Sequence, residues 1–204
     1  MITVDHITGL DAPFAELHAH PIATLNWPAY RAHSTASFRI AWDRERILLR
    51  FEVHDTALQA LTAADNGPVW RDRCVEWFLS LDGIHYYNME WNAAGTMLAQ
   101  YGTSRHDRVF LPPERLAAVE RSSSCGKPPL PPITGPVDWS LTLRIPLTFF
   151  GDDARSLVPG ATAHGNFYLC GDDLPEKQYL SHYPVASDRP DFHRPECFGP
   201  IRFQ

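Results

Sequence analysis

The order of elements along this chain predicts an all-β fold. We expect an antiparallel β-sandwich of jelly-roll type, with long loops and few short helical turns, formed by one domain over residues 1–204. Three observations support this expectation: short segments whose apolar residues alternate with a period of two, turn residues between those segments, and 18 prolines. Alternation is typical of strands with one buried face, and proline interrupts helices and central strands alike. Many short strands separated by turns favour a sandwich.

The individual elements follow from that pattern. The main strands are predicted at 38–42, 47–53, 75–81, 86–92, 96–101, 139–145, 164–170, 179–183 and 198–203. Shorter strands are predicted at 109–111 and 116–119, and helical turns at 57–64 and 146–151. The proline-rich stretch 126–132 is expected to be a surface connector in polyproline geometry.

The apolar faces of these strands predict the core. Its expected members share one phase of the alternation and are Phe51, Val75, Trp77, Leu79, Met89, Trp91, Leu141, Leu143 and Ile145. A slip of one residue would invert both faces of a strand, so the burial of these side chains tests the assigned phase.

The central hairpin carries the most informative polar pattern. Asp82-Gly83 is a tight-turn signal between the strands 75–81 and 86–92. The face opposite the apolar one carries Glu76, Asn88, Glu90 and Asn92, and Trp70 precedes the first strand. An aromatic ring can stack on the C–H face of a sugar, and carboxylates and amides can bind its hydroxyls. This pattern therefore predicts a carbohydrate site.

Composition excludes several other classes of function. The net charge of −6 and the lack of a basic run argue against a nucleic-acid partner. The first twenty residues contain several charged residues and no apolar run, so we expect neither a signal peptide nor a membrane span. This favours the cytoplasm over the periplasm or the exterior, while compartment and oligomeric state stay open.

The cysteines and histidines fit no known metal motif. The four cysteines are widely spaced, and we expect free thiols, with pairing of Cys170 and Cys197 as the alternative in an oxidising compartment. His164, His182 and His193, together with Cys170 and Asp172, could form a metal site, but their spacing fits no recognised zinc pattern. We therefore expect no metal site among them, and no nucleophile elbow or phosphate-binding loop is present in the sequence.

Three motifs carry a resemblance to a known family. They are Trp70-x-Asp72-x-Cys74-Val75-Glu76-x-Phe78-Leu79, then Tyr87-Asn88-x-x-x-Asn92-x-x-Gly95, and finally Phe198-Gly199-x-Ile201. Their order resembles the carbohydrate-binding module family 9-like domains over about residues 38–203. That resemblance implies a β-sandwich that binds sugar ends between two tryptophans, and relatives that carry structural calcium. Asp152-Asp153 and Asp172-Asp173 are the candidate calcium ligands here.

The resemblance assigns roles residue by residue. Trp70 matches the first tryptophan, and Glu76 and Asn92 match hydrogen-bonding positions. Two positions depart from the family: Glu90 stands where better-known binders carry arginine, and His182 stands near the place of the second tryptophan. The predicted ligand-binding residues are Trp70, Arg71, Asp72, Glu76, Asn88, Glu90, Asn92, His182 and Tyr183.

Other interpretations of these residues remain open. Trp70 could pack under a loop, Glu76 could pair with Arg50 or Arg144, and Asn88 and Asn92 could cap turns. Glu76 and Glu90 could also serve a small glycoside hydrolase, which needs two carboxyl groups. A sandwich that has lost sugar binding and serves as an interaction domain is the third alternative. Non-catalytic sugar binding is the function that the sequence favours.

Overall fold

A computed structural model describes residues 1–8, 14–31 and 33–204. Its strands are β1 (Ile2–His6), β2 (His20–Ile22), β3 (Thr35–Trp42), β4 (Arg46–Ala60), β5 (Cys74–Ser80), β6 (Tyr86–Asn92), β7 (Met97–Gly102), β8 (Val109–Phe110), β9 (Glu120–Ser123), β10 (Leu130–Pro146), β11 (Thr162–Cys170), β12 (Tyr179–Ser181) and β13 (Gly199–Phe203). The helical segments are α1 (Pro113–Ala117) and 3-10 turns at Phe14–Glu16, Val69–Arg71, Leu147–Ser156 and Pro195–Cys197. None of these helical segments is long and apolar enough to cross a membrane.

The strands form two layers that share β1. The first layer runs β8-β7-β6-β5-β11-β13-β1, with β12 beside β11, and the second runs β1-β3-β4-β10-β9, with β2 beside β3. β1 pairs with β13 through its first half and with β3 through its second half, and both of these pairs are parallel. The remaining strand pairs are antiparallel. The predicted all-β sandwich is thus confirmed, with β1 as the strand that passes between the layers.

Aromatic rings join the two layers in the core. The ring of Phe167 on β11 stacks on Phe38 of β3 at a centroid distance of 3.6 Å and on Trp77 of β5 at 5.5 Å. All nine side chains that the alternation predicts for the core are buried, so the assigned strand phase is confirmed. A second, smaller apolar cluster that includes Phe78, Tyr86 and Tyr168 lies on the opposite face of the first layer.

Three predicted elements are wrong. The segment 57–64 is not a helical turn: β4 continues to Ala60 by pairing with the early part of β10, and residues 61–64 are irregular. Residues 116–119 are not a strand: α1 begins at Pro113, and proline favours the first turn of a helix. The proline-rich connector ends early, because β10 begins at Leu130 and accommodates its prolines beside an irregularity in the pairing register.

A buried ion pair fixes the start of β5. Arg73 and Asp55 are both inaccessible to solvent, and Arg73 Nη2 donates to Asp55 Oδ1 at 2.8 Å. The same carboxylate accepts a hydrogen bond from Ser34 Oγ at 2.6 Å. Because burying an unpaired charge is costly, this pairing holds β4 and β5 in one arrangement. It lies immediately before the polar face of the central hairpin.

Candidate functional site

A cavity of about 310 Å³ lies on the face of the first layer that points away from the main core. Its floor is built from β5, β6, β7 and β11, and its walls come from the segments before β5, around β8 and after β12. This size is at the lower end of the range for small-ligand sites. The cavity therefore suits a small molecule.

Strand register brings two carboxyl groups together on the floor. Glu76 on β5 is the direct cross-strand partner of Glu90 on β6, and Glu90 is in turn opposite Leu98 on β7. Gln100, two residues further along β7, lies on the same face and also lines the cavity. Directly opposed residues in antiparallel strands have Cβ atoms about 5 Å apart, so the two carboxyl groups are neighbours.

Burial keeps the floor carboxyl groups from ionising readily. The exposed fractions of Glu76 and Glu90 are 3% and 4%. Burial first, and then the neighbouring Cys170 and Glu90, raise the pKa of Glu76 well above its ordinary value. Burial also raises the pKa of Glu90 to about 7, although Arg108 and the amide of Asn88 oppose this rise. A protonated carboxyl group can both donate and accept hydrogen bonds.

Aromatic side chains form the walls. Trp70 is 39% exposed and Phe110 on β8 is 56% exposed, and both border the cavity. Tyr179 on β12 and Phe192 complete the aromatic lining, and the Tyr179 hydroxyl donates to Asp172 Oδ1 at 2.7 Å. Partly exposed rings beside polar groups are suited to stacking on a ligand.

Three predicted site residues hold Trp70 in place instead of lining the cavity. Asp72 is buried and accepts hydrogen bonds from the backbone N–H groups of Leu61 and Thr62, both at 2.9 Å. Asn92 donates to Asp72 Oδ2 at 3.0 Å. Arg71 Nε donates to Asp173 at 2.7 Å on the outer side of the turn. The 3-10 turn that carries Trp70 is therefore fixed from both sides.

Asn88 supports the floor from an adjacent position. It is fully buried, and its Nδ2 donates to Glu90 Oε1 at 3.0 Å. The amide therefore orients the Glu90 carboxyl group, and it does not itself line the cavity.

The structure does not bring His182 and Tyr183 to the cavity. Tyr179 pairs with Cys170 on β11, so alternation places Tyr179 on the cavity face and His182, three residues later, on the core side. His182 accordingly packs beside Phe38. The Tyr183 hydroxyl donates to the carbonyl of Pro200 at 2.9 Å, and its ring lies only 2.3 Å from where a Cβ on Gly199 would stand. This close approach explains the glycine of the Phe198-Gly199 motif.

Two arginines and a histidine, Arg105, Arg108 and His193, form the rim of the cavity. Arg105 Nη1 donates to Asp191 at 3.1 Å, and Arg108 donates to the carbonyl of Arg105. His193 Nδ1 lies 3.0 Å from the hydroxyl of Tyr86, and burial, followed by the two arginines, lowers the pKa of His193 to about 2. His193 is therefore neutral, and the arginines supply the positive charge of the rim.

The candidate calcium ligands do not fit a calcium site. Asp172 accepts from Tyr179 and Asp173 pairs with Arg71, while Asp153 accepts from Tyr87 and Asp152 pairs with Arg155. Across residues 1–8, 14–31 and 33–204, neither aspartate pair belongs to a group of three or more converging acidic, histidine or cysteine side chains. Calcium sites draw on several converging oxygen ligands, and neither aspartate pair forms such a cluster of side-chain carboxylates.

Several cavity residues were missed by the sequence analysis. Gln100 is predictable from the sequence, because it shares a face with Glu90 once the register of β6 and β7 is assigned. Arg105 and Arg108 belong to a stretch without clear alternation, and His193 to an irregular segment after β12. Phe110 lies in the predicted strand 109–111, which is too short to show which face points to the cavity. No periodic signal marks such residues, so only the folded structure places them at the cavity.

A β-sandwich with an aromatic-walled polar cavity on one sheet face belongs to the class of small-ligand-binding β-domains. Comparison with known proteins defines the chain further. Residues 10–203 match the model of "Carbohydrate-binding family 9", and the chain belongs to that family. No curated protein matches the chain.

Solved structures agree with this assignment. A "putative carbohydrate-binding protein" from Bacteroides uniformis is 34% identical, with a TM-score of 0.91 over 100% of this chain and 98% of the other. Two structures of a family 9 carbohydrate-binding module from Caldicellulosiruptor kristjanssonii, in complex with glucose and with cellotriose, are 13% and 14% identical. Their TM-scores are 0.62 and 0.61, over 100% of this chain and 95% and 93% of theirs. At that identity the likeness shows the fold alone.

Proposed function

We propose that this domain binds a mono- or short oligosaccharide in the cavity between Trp70 and Phe110, without cleaving it. The observation that carries the proposal is the partly exposed Trp70 beside a floor of two buried, cross-strand carboxyl groups. Family membership supports it, as do the complexes of the Caldicellulosiruptor kristjanssonii module with glucose and cellotriose.

The floor suits sugar hydroxyls. A hydroxyl group donates one hydrogen bond and accepts others, and a protonated carboxyl group does the same. Glu76 and Glu90, with raised pKa values, can therefore satisfy hydroxyls in either direction, and Gln100 adds an amide. Because these groups are already buried and oriented, binding requires little further desolvation of the protein.

The expected affinity is modest. Burying about 150 Å² of apolar surface, counted over the aromatic ring and the sugar face together, contributes about 4 kcal/mol at 25 cal/mol/Å². Association costs at least about 4 kcal/mol, so hydrogen bonds must supply the net free energy. Dissociation constants from micromolar to millimolar follow.

Titration calorimetry with glucose, xylose, cellobiose and cellotriose tests the proposal. We expect saturable binding of at least one sugar, weakened in Glu76→Ala, which removes the hydrogen-bonding group, and unchanged in Glu114→Ala, whose side chain is exposed on α1. If no sugar binds at millimolar concentration, the alternative of a sandwich without sugar binding is favoured.

A further inference from the structure

Two cysteines and a carboxyl group cluster at one end of the cavity floor. Cys74, Glu76 and Cys170 are all buried, and one potential ligand atom from each lies within 4.8 Å of the others. The Cys170 Sγ–H group donates to Glu76 Oε1 at 3.0 Å. Among the described residues, this is the one hydrogen bond that reaches the Glu76 side chain. A buried carboxyl group with so few partners is poorly compensated.

The backbone fixes this cluster before any ligand arrives. Cys74 and Glu76 are two residues apart on β5, so both side chains point to the same face. Cys170 is the direct cross-strand partner of Cys74 on the antiparallel strand β11. Both strands lie inside the first layer, each with a neighbour on either side. The three ligand atoms are therefore held by rigid elements, which favours a preformed site.

We propose that Cys74, Glu76 and Cys170 together bind one thiophilic divalent metal ion, with Zn²⁺ as the best match. Two sulfur ligands and one carboxylate oxygen form a donor set that zinc accepts, at about 2.3 Å for Zn–S and about 2.0–2.2 Å for Zn–O. In tetrahedral geometry such bonds place ligand atoms about 3.5–3.8 Å apart, which the observed cluster reaches with small side-chain adjustments.

The fourth coordination position faces the cavity. Glu76 and Cys170 both line the cavity, so a metal held between them would be open to water or to a ligand hydroxyl on that side. Three protein ligands with one open position is the arrangement of reactive or ligand-binding zinc sites, whereas closed structural sites use four protein ligands.

Further carboxyl groups lie around the site. Glu90 is the direct cross-strand partner of Glu76, and Asp172 lines the same cavity as Cys170. Binding requires both thiols and any protonated carboxyl ligand to release their protons to solvent, so that a neutral cluster becomes a metal-bound one. This inference goes beyond sugar binding, and its test does not use a sugar.

Metal titration of the reduced protein tests the site. The full chain, kept in a phosphine reductant, is titrated with Cd²⁺ while the thiolate-to-cadmium absorption band is followed, and with Zn²⁺ against a chromophoric chelator. We expect one ion per chain and an absorption intensity that corresponds to two thiolates. Glu76→Gln should weaken binding by about tenfold or more.

The other two cysteines provide the matched control. Cys125 and Cys197 are partly exposed free thiols outside this cluster. The double variant Cys125→Ser/Cys197→Ser should bind as the parent does, whereas Cys74→Ser/Cys170→Ser should lose the band. Retention of the band in Cys74→Ser/Cys170→Ser, or its loss in the control, overturns the proposal.

A spectroscopic measurement on the parent protein covers the case in which the cysteine variants do not fold. The ¹¹³Cd NMR shift of the loaded parent distinguishes two sulfur ligands from oxygen and nitrogen ligands alone. A shift typical of mixed sulfur and oxygen ligation supports the site. A shift without sulfur character, or the absence of stoichiometric binding, contradicts it.

Discussion

Glu76 and Glu90 are direct cross-strand partners on β5 and β6, and both carboxyl groups are almost wholly buried under the same cavity. Like charges directly opposite each other destabilise a sheet, and burial of either charge adds a desolvation cost. The pair is therefore tolerated by the fold in its protonated form and disfavoured as two charges. Protonation of this pair therefore makes both the unfolding free energy and ligand binding depend on pH.

The stability of the protein should depend on pH through this pair. The pKa of Glu90 is raised from 4.5 to about 7, so its contribution to stability is complete below pH 4.5 and is lost as the pH rises through about 7. That pKa difference corresponds to about 3 kcal/mol of unfolding free energy. Urea denaturation between pH 4.5 and pH 8 should therefore show a falling stability. The slope should be smaller in Glu90→Gln, where only Glu76 keeps a raised pKa, and unchanged in the exposed Glu114→Gln. An unchanged slope in Glu90→Gln would show that Glu90 ionises as it does in the unfolded chain.

Aromatic stacking should contribute strongly to sugar affinity. Trp70→Ala removes the ring that borders the cavity, and Phe110→Ala removes the ring contributed by the edge strand β8. Each substitution should weaken sugar binding by about tenfold or more, because each removes one to several kcal/mol of buried apolar contact. Ile84→Ala is the control, since Ile84 is 65% exposed in the β5–β6 turn and does not line the cavity. Equal affinity in Trp70→Ala and the parent would place the stacking surface elsewhere.

Asp72 should act by positioning Trp70. Asp72→Ala leaves two backbone N–H groups and the amide of Asn92 without their acceptor, so the unfolding free energy should fall by about 2 kcal/mol or more. Sugar affinity should fall as well, because the turn that carries Trp70 loses its inner support. Asp173→Ala, which breaks only the exposed pair with Arg71, should cost less than about 1 kcal/mol. The comparison uses thermal unfolding and calorimetric titration, and similar losses in both variants would rule out this role.

Glycoside cleavage should not occur. A glycosidase places its two carboxyl groups on either side of the scissile bond, whereas Glu76 and Glu90 stand side by side on one sheet face. We expect no release of product from aryl-glycosides, xylan fragments or cello-oligosaccharides. Turnover that disappears in both Glu76→Gln and Glu90→Gln while sugar binding persists would establish a hydrolase instead.

The sequence predicts those parts of the molecule that depend on alternation. The buried faces of Trp77 and Trp91, and the polar face that carries Glu76 and Glu90, follow from a period of two on strands whose ends are marked by turns. The predicted Asp82-Gly83 turn is also confirmed, because Gly83 has a positive φ and Asp82 accepts hydrogen bonds from two backbone N–H groups.

The remaining parts depend on long-range packing that no local pattern encodes. The second aromatic position was assigned to His182 by resemblance, yet Tyr179 occupies the cavity face, because an offset of three residues reverses the side of a strand. Asp72 and Asn92 were expected at the ligand, and their hydrogen bonds instead fix the turn beneath Trp70. A polar side chain in a motif contacts ligand or supports a neighbour, and sequence alone does not distinguish the two.

A crystal structure of the protein with the tightest-binding sugar from the titration tests directly whether sugar binds beside Trp70. We expect a sugar ring stacked on Trp70, with hydroxyl groups within hydrogen-bond distance of Glu76 or Glu90. A sugar bound elsewhere, for example in the shallow cavity beside Tyr30 and Lys177, with the Trp70 cavity filled only by water, would contradict it.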